Sequence, residues 1–229
     1  MPFRIFRPLM AGATLRDRAL ACLGVLVGLG VTGLVCRLLL HDAPQTNLML
    51  AAPLGASAVL LFAVPASPLA QPWSILGGNT ISALVGVMVA RLVHDPIVAG
   101  AIAVALAVAV MSLCRCLHPP GGAVALTAVI GGPAIAAYGY LFALSPVAVN
   151  SLLLVAIGWL LHRFSRHSYP HVAKASPAPV REPRLTREDI DQALSAFGEP
   201  LDVAREDLDA LIDLASANAR RRLAGSGES

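Results

Sequence analysis

The chain has 229 residues, of which 56% are hydrophobic and 14% are charged, and its formal net charge is +3. Soluble domains carry about 25% charged residues, so this composition excludes a disordered chain, a collagen-like chain and an ordinary soluble enzyme. The charges are unevenly placed: 11 of the 14 acidic residues lie from Glu182 onward. We therefore expect a basic N-terminal segment (1–18), a membrane domain (19–163), a linker (164–185) and a charged tail (186–229).

Six apolar segments follow one another along the membrane domain. They lie at 19–40, 48–64, 75–93, 97–114, 121–130 and 146–161. A helix needs about 20 residues to cross a bilayer core of about 30 Å, so four segments are comfortable spans and the second and fifth are short. Six crossings result if both short segments cross, and four if both are re-entrant; we expect six. The predicted fold is an all-α membrane helix bundle with two short helices broken by Pro and Gly.

Basic residues predict the orientation. Four arginines lie in residues 1–18, and Arg163, Arg166 and Lys174 follow the last apolar segment. Cytoplasmic loops carry the excess of Arg and Lys, so both termini are expected in the cytoplasm. The expected localisation is a bacterial inner membrane.

A candidate internal repeat relates the two halves of the membrane domain. Residues 53–60 align with residues 119–126 at an offset of 66, and Asn79 opens the third span much as Asn150 opens the last. With three crossings in each half, the halves have opposite topology, as in many secondary transporters. With two crossings in each half, the halves would instead be parallel.

Proline and glycine mark the beginnings of the two short helices. Proline suits the first turn of a helix, where its missing N–H would have no partner anyway, so Pro119 and Pro120 predict a helix start. At membrane depth, free N–H groups near Gly121 and Gly122 would direct partial positive charge into a cavity. The partner site in the first half would consist of Pro53, Gly55 and Ser57. The alternative is a kinked helix that fills a bundle of small residues.

The motif His118-Pro119-Pro120, continued by GGA at 121–123, resembles the signature of the HPP family of integral membrane proteins. Residues 53–79, from PLGAS to GGN, resemble the other well-marked region of that family. The resemblance implies a small helical membrane domain, usually described with four spans, and a transport role. Plant and cyanobacterial members are associated with nitrite transport. Some longer members continue into paired CBS domains, which this shorter chain is expected to lack.

Four polar residues complete the predicted substrate-binding set. His118 is the candidate titrating group, since imidazole changes charge near neutral pH; alternatively, it only hydrogen-bonds a loop carbonyl. Arg115 either supplies a fixed positive charge or anchors the end of the fourth span. Asn79 and Asn150 are either helix N-caps or amide donors that face a substrate.

Three other kinds of site have weaker support. Cys114, Cys116 and His118 form a C-x-C-x-H cluster without a fourth ligand, so no metal or other cofactor is expected. The G-x-S pattern at Gly55 and Ser57 would need a histidine base on a neighbouring helix. The last span has none before its end, so we expect no enzyme. Nucleic-acid binding is not expected either, because the basic cluster of the tail is short and its acidic residues are numerous.

The membrane segments contain donors but no acids. No Asp or Glu lies in the six apolar segments, where a cation carrier would normally place one. The predicted function is therefore a transporter or channel for a small inorganic anion such as nitrite. The alternative is a non-transporting membrane scaffold or sensor whose tail recruits a partner. A hydrated central cavity would favour transport, and a dry core would favour the scaffold. Besides the anion, the expected partners are the lipid bilayer and, in a homo-oligomer, further copies of the chain.

The tail is predicted to form a cytoplasmic helical hairpin. Thr186 should cap the first helix with Asp189 as a capping-box partner, and Gly198 should end it. Asp202 should cap a second helix. The apolar stripe of that helix consists of Val203, Leu208, Leu211, Ile212 and Leu214. We expect this amphipathic pair to dock on the membrane domain or on a partner subunit.

Overall fold

A computed structural model describes residues 15–39, 52–164, 168–171, 186–197, 203 and 205–225. All regular elements in these ranges are helical. They are α1 Leu15–Leu39, α2 Leu54–Ala63, α3 Pro72–Leu92, α4 Pro96–Leu113, α5 Pro119–Ile130, α6 Pro133–Tyr138, α7 Val149–His162, α8 Arg187–Phe197 and α9 Arg205–Gly225. A 3-10 turn, Pro68–Ala70, precedes α3, and a π-helical stretch, Ala143–Ala148, leads into α7. The chain divides into a membrane unit, Leu15–Val172, and a unit that contains α8 and α9.

Four helical segments of the described chain are long and apolar enough to cross a membrane. They are Leu15–Leu38, Pro72–Leu92, Pro96–Leu113 and Ala143–His162. Helices α2 and α5 have only 10 and 12 residues. At 1.5 Å per residue they are about 15 and 18 Å long, roughly half of a bilayer core. The predicted all-helical membrane bundle with two short helices is confirmed.

Local sequence explains where several helices begin. Helices α3, α4, α5 and α6 each have proline in their first turn, where no backbone N–H is needed. The carboxylate of Asp95 caps α4 by accepting hydrogen bonds from the N–H groups of Ile97 and Val98 at 3.0 and 2.9 Å. Helix α1 begins at Leu15, four residues before the predicted start of the membrane domain at 19, so Arg16 and Arg18 lie in its first turn.

Helices α3, α4 and α5 form one packed triplet. Gly78 lies against His118, and Gly86 lies against Ala128. A Cβ added at Gly78 would lie 2.6 Å from the Cβ of His118, and one added at Gly86 would lie 2.7 Å from the Cβ of Ala128. The contact nearer the start of α3 is with the start of α5, and the contact nearer the end of α3 is with the end of α5. Helix α5 therefore runs parallel to α3. Helix α4 connects the end of α3 to the start of α5 and runs antiparallel to both.

Helices α1, α2 and α7 form a second triplet. The ring of Phe62 in α2 fills the space over Gly24 and Gly28 of α1, and Leu61 packs over Gly158 of α7. Helix α2 runs parallel to α7 and antiparallel to α1, because its C-terminal end lies beside the N-terminal half of α1 and the C-terminal half of α7.

Each half of the membrane domain therefore contributes its third helix to the other half's triplet. In the first half, α1, α2 and α3 alternate in direction; in the second half, α4, α5 and α7 alternate with the opposite sense. The reversal of direction between the halves is a feature of inverted repeats, and the repeat itself stays a prediction.

Apolar clusters hold each triplet together. One cluster, which includes Val85 and Ala125, lies between α3, α4 and α5. Another, which includes Leu54 and Leu154, lies mainly between α1, α2 and α7. A third joins the triplets, with Ala83 and Val87 of α3 packed against Phe142 and Val147 near the start of α7. Ile75 of α3 also belongs to the second cluster, and polar contacts join the triplets at the N-terminal ends of α2 and α5.

The tail unit contains the predicted helix cap. The backbone N–H and the hydroxyl of Thr186 both donate to a carboxylate oxygen of Asp189 at 2.8 Å, and the N–H of Asp189 donates back to the hydroxyl at 3.3 Å. These bonds lower the pKa of Asp189 below its ordinary value. Arg205 of α9 pairs with Asp191 of α8 and, at 2.9 Å, with Asp209. The predicted caps at Gly198 and Asp202 lie outside the described residues, and docking of the tail stays a prediction.

Candidate functional site

Six side chains from five helices form a buried polar group at the junction of the two triplets. We call it the central polar cluster; its members are Cys36, Ser57, Asn79, His118, Asn150 and Ser151. Asn79 is 2% exposed and the other five are 0% exposed. Polar groups inside a membrane protein are costly, so a buried polar cluster of this kind is a candidate functional site.

His118 is the N-cap residue of α5, and both of its ring nitrogens are engaged. Nδ1 lies 2.8 Å from the carbonyl oxygen of Leu69, and Nε2 lies 2.8 Å from the hydroxyl oxygen of Ser57. A carbonyl only accepts, so Nδ1 carries the proton, and in a neutral ring Nε2 must accept the Ser57 hydroxyl. His118 thus bonds a loop carbonyl, as the second sequence-based interpretation expects, and its role as a titrating group stays a prediction.

Asn79 extends this chain of hydrogen bonds across the bundle. Its Nδ2 donates to the hydroxyl oxygens of Ser57 at 3.2 Å and Ser151 at 3.1 Å. The bonds thus run in one direction from Asn79 through Ser57 to His118, and we call these three residues the relay. Ser57 and Ser151 belong to one triplet, and Asn79 and His118 belong to the other, so these bonds hold the triplets together.

Three buried polar atoms of the described residues have no hydrogen-bond partner. They are Thr32 Oγ1, Asn79 Oδ1 and Asn150 Nδ2. The other amide atom of Asn150, Oδ1, accepts from the thiol of Cys36 at 2.7 Å. Each unsatisfied buried group costs about 1–3 kcal/mol, so three of them inside one membrane unit require an explanation, such as a bound ligand.

The N-cap interpretation of the two asparagines is wrong. Helix α3 begins at Pro72 with Gln71 as its N-cap, and α7 has Ala148 as its N-cap. Asn79 and Asn150 thus lie inside their helices, and their amides face the interior of the bundle.

The predicted anion site on the backbone of α5 does not form at Gly121. Its N–H donates to the carbonyl of His118 at 2.8 Å. A Cβ at this position would lie 2.7 Å from Ser82 Oγ and 3.1 Å from the Gly78 carbonyl, so the glycine allows close packing of α5 on α3. Gly122 is half-buried beside Val104. Pro120 is buried, and Pro119 is exposed.

The remaining predicted site residues lie around the cluster rather than in it. Pro53 is the buried N-cap of α2, and Gly55 is half-buried with open space beside its Cα. Arg115 is exposed, with a left-handed φ of 54°, in the loop between Cys114 and Cys116. It extends from the end of α4, which agrees with an anchoring position.

The expectation that Ser57 has no histidine within reach is wrong, because His118 of the second half supplies one at 2.8 Å. Both side chains are fully buried, and the serine oxygen already accepts from Asn79. In this conformation the pair is therefore part of a sealed hydrogen-bond network.

Sequence reasoning overlooked Cys36, Thr32 and Ser151. Thr32 and Cys36 lie four residues apart on one face of α1, and Ser151 follows Asn150 directly. A search for polar side chains inside apolar helices would have found all three.

Four helical segments long enough to span a bilayer, around a buried polar centre, define a polytopic helical membrane protein. Residues 10–170 match the family described as HPP, transmembrane region. The chain belongs to this family.

Curated relatives support the membrane assignment. Two transmembrane proteins of Dictyostelium discoideum are 35% and 36% identical to the chain over 147 and 146 residues, 61% and 60% of its length. The matches cover 51% and 47% of these relatives, so the chain spans about half the length of the proteins that it matches. No solved structure matches the chain.

Proposed function

We propose that this protein is a carrier for a small inorganic anion, with nitrite as the first substrate to test, and that the central polar cluster is its binding site. The observation that carries the proposal is the set of unpartnered polar atoms on Thr32, Asn79 and Asn150, all buried inside the membrane unit. An anion that accepts hydrogen bonds from the Thr32 hydroxyl and the Asn150 amide nitrogen would offset the cost of burying these two groups.

The chemistry of the cluster supports an anion rather than a metal cation. None of its members is a carboxylate, and the free amide nitrogen of Asn150 is a donor. A site for a cation in a bilayer would normally contain Asp or Glu. Nitrite, nitrate and formate are small and planar, and each accepts hydrogen bonds through two or more oxygens.

The sealed geometry supports a carrier rather than an open channel. Asn150, Ser151, Ser57 and His118 are 0% exposed, as an occluded state requires. The hydrogen bonds of Asn79 and His118 join the triplets together with the third apolar cluster, so a movement of one triplet relative to the other would have to break these bonds and rearrange that cluster. Alternating access in transporters with inverted repeats uses such movements of one half against the other.

The proposed location of the protein is a bacterial inner membrane, with both termini cytoplasmic.

A scaffold or sensor is the second candidate. A scaffold is expected to have a dry core, and the sealed cluster fits this. Two leucines of α9, Leu211 and Leu214, are 63% and 60% exposed, as a partner-binding surface would require. A scaffold has no use for unsatisfied polar atoms in its core, however, and for that reason we favour transport. We propose no enzymatic role.

Uptake of nitrite, nitrate and formate into liposomes that carry the purified protein tests the proposal. We expect uptake of at least one anion well above that of protein-free liposomes, and loss of this uptake in Asn150→Leu. Thr80→Val is the matched control, since the Thr80 hydroxyl donates to Leu76 within α3, outside the cluster. Equal uptake by liposomes with and without protein would refute the carrier.

A further inference from the structure

We infer that the relay of His118, Ser57 and Asn79 couples the binding of one proton to the binding of one anion, so that the protein carries both together. The inference rests on the proposed carrier function and assigns its coupling ion. It is built on the direction of each hydrogen bond in the relay and on the unpartnered oxygen of Asn79.

With neutral His118, every orientation in the relay is determined. Leu69 requires the proton on Nδ1, so Nε2 accepts from Ser57. The hydroxyl oxygen of Ser57 is then an acceptor for its other neighbour, which must be the amide nitrogen of Asn79. The carbonyl oxygen of Asn79, Oδ1, is therefore on the other side of the amide and has no hydrogen-bond partner. We call the place that Oδ1 occupies the unpartnered position. An oxygen at that position repels an anion.

Protonation of His118 reverses the relay. The added proton binds the lone pair of Nε2, which becomes a donor to the oxygen of Ser57. Ser57 keeps its own proton and turns it toward Asn79, which can accept it only through Oδ1. The amide must therefore rotate by half a turn, and its NH2 group takes the unpartnered position. That position now offers N–H donors to an anion; no covalent bond other than N–H forms, and no electron is transferred.

Few charged or titratable groups lie around His118 apart from this relay. Helix α2, residues 64–71 and α5 contribute none. The charged residue of α3 is Arg91 at its far end, and the titratable residue of α7 is His162 at its C-terminal end, where it contacts Leu61. The end of α4 and the following loop contribute Cys114, Arg115 and Cys116, of which Arg115 is exposed. No described carboxylate is therefore available to neutralise a protonated His118.

The anion itself can supply this missing charge. A single charge in a dry interior is expensive, whereas a proton on His118 and an anion beside Asn79 form a neutral pair. By thermodynamic linkage, each then increases the affinity for the other by the same factor. The proton comes from the side from which the anion enters, and both leave on the opposite side.

Proteoliposomes with a pH dye in the lumen test this coupling. An inward gradient of nitrite or nitrate, whichever is carried, is applied without a pH gradient, and protein-free liposomes correct for diffusion of the free acid. We expect the lumen to acidify by one proton per anion, at a rate that an imposed membrane potential does not change. Ser57→Ala should break the relay and lower proton uptake per anion at least fivefold. His118→Gln should do the same.

His162→Gln is the matched control, because His162 is also buried and bonds a backbone carbonyl, at 3.0 Å, outside the relay. We expect it to keep the ratio of one proton per anion. Size-exclusion profiles and melting temperatures of all variants show whether they fold, and Ser57→Ala provides the test if His118→Gln does not. Anion flux without proton movement in the wild type would overturn the coupling but leave the carrier. No flux of any anion would instead overturn the carrier function.

Discussion

The imidazole of His118 and the hydroxyl of Ser57 meet at 2.8 Å in the centre of the membrane domain, although 61 residues separate them in the chain. Ser57 lies in the first turn of one short helix, and His118 caps the other. Both short helices thus present a polar side chain to the same place, where the two triplets meet.

Two adjacent glycines should respond very differently to substitution by alanine. In Gly121→Ala, the new Cβ would lie 2.7 Å from Ser82 Oγ and 3.1 Å from the backbone oxygen of Gly78, so α5 must move away from α3. Such overpacking costs about 1–3 kcal/mol. Gly122→Ala is the control, since its nearest neighbour, Val104, lies at an ordinary 3.6 Å. Thermal unfolding in detergent measures both, and equal melting temperatures for the two variants would contradict the packing role of Gly121.

Asn150→Leu should separate stability from transport. It removes an unsatisfied buried donor, together with the acceptor for the thiol of Cys36. Removing the unsatisfied group raises the free energy of unfolding by about 1–3 kcal/mol, and loss of the hydrogen bond from the Cys36 thiol offsets part of this gain. We therefore expect unfolding at an equal or higher temperature, together with loss of anion uptake. A large loss of stability would show that Asn150 serves the fold rather than a ligand.

Labelling of single cysteines should place the 64–71 turn and the α3–α4 connection on opposite sides of the membrane. Pro68 and His94 are exposed, whereas Ser67 is buried and its oxygen accepts from the Leu69 N–H. Pro68→Cys and His94→Cys are thus the better reporters. Cys22 and Cys114, which are exposed, must first be replaced by serine. We expect an impermeant reagent to label His94→Cys from outside intact cells and Pro68→Cys only after lysis. Labelling of both positions from the same side would rule out an odd number of crossings between them.

The start of α8 should loosen in acid. Hydrogen bonds from Thr186 hold the pKa of Asp189 below its ordinary value, so the ionised carboxylate is favoured in the capped helix. The resulting stabilisation is complete above the pKa of the uncapped residue and is lost as the pH falls through the lower pKa of the capped one. Amide hydrogen exchange, corrected for its intrinsic pH dependence, should show less protection in the first turn of α8 at low pH. Asp189→Asn should show the low protection at every pH.

Much of the architecture follows from local sequence. The run lengths of apolar residues suffice for an all-helical membrane bundle, because a bilayer excludes water and requires every backbone group to bond within a helix or a barrel. Prolines such as Pro72 and Pro119 mark helix starts through their missing N–H. The Thr186–Asp189 cap is equally local, since its partners lie three residues apart.

The composition of the central polar cluster depended on tertiary structure. The sequence by itself predicted that the short helix with Ser57 forms a partner site to the one that follows His118, but it did not predict a hydrogen bond between this serine and this histidine. That pairing arises because the halves exchange their third helices, which brings α2 and α5 together over Asn79 and Ser151. The role of Gly121 also became clear only from the close contact with Gly78. Hydrogen bonds and packing contacts across a bundle depend on where helices cross, and no local pattern of residues encodes that geometry.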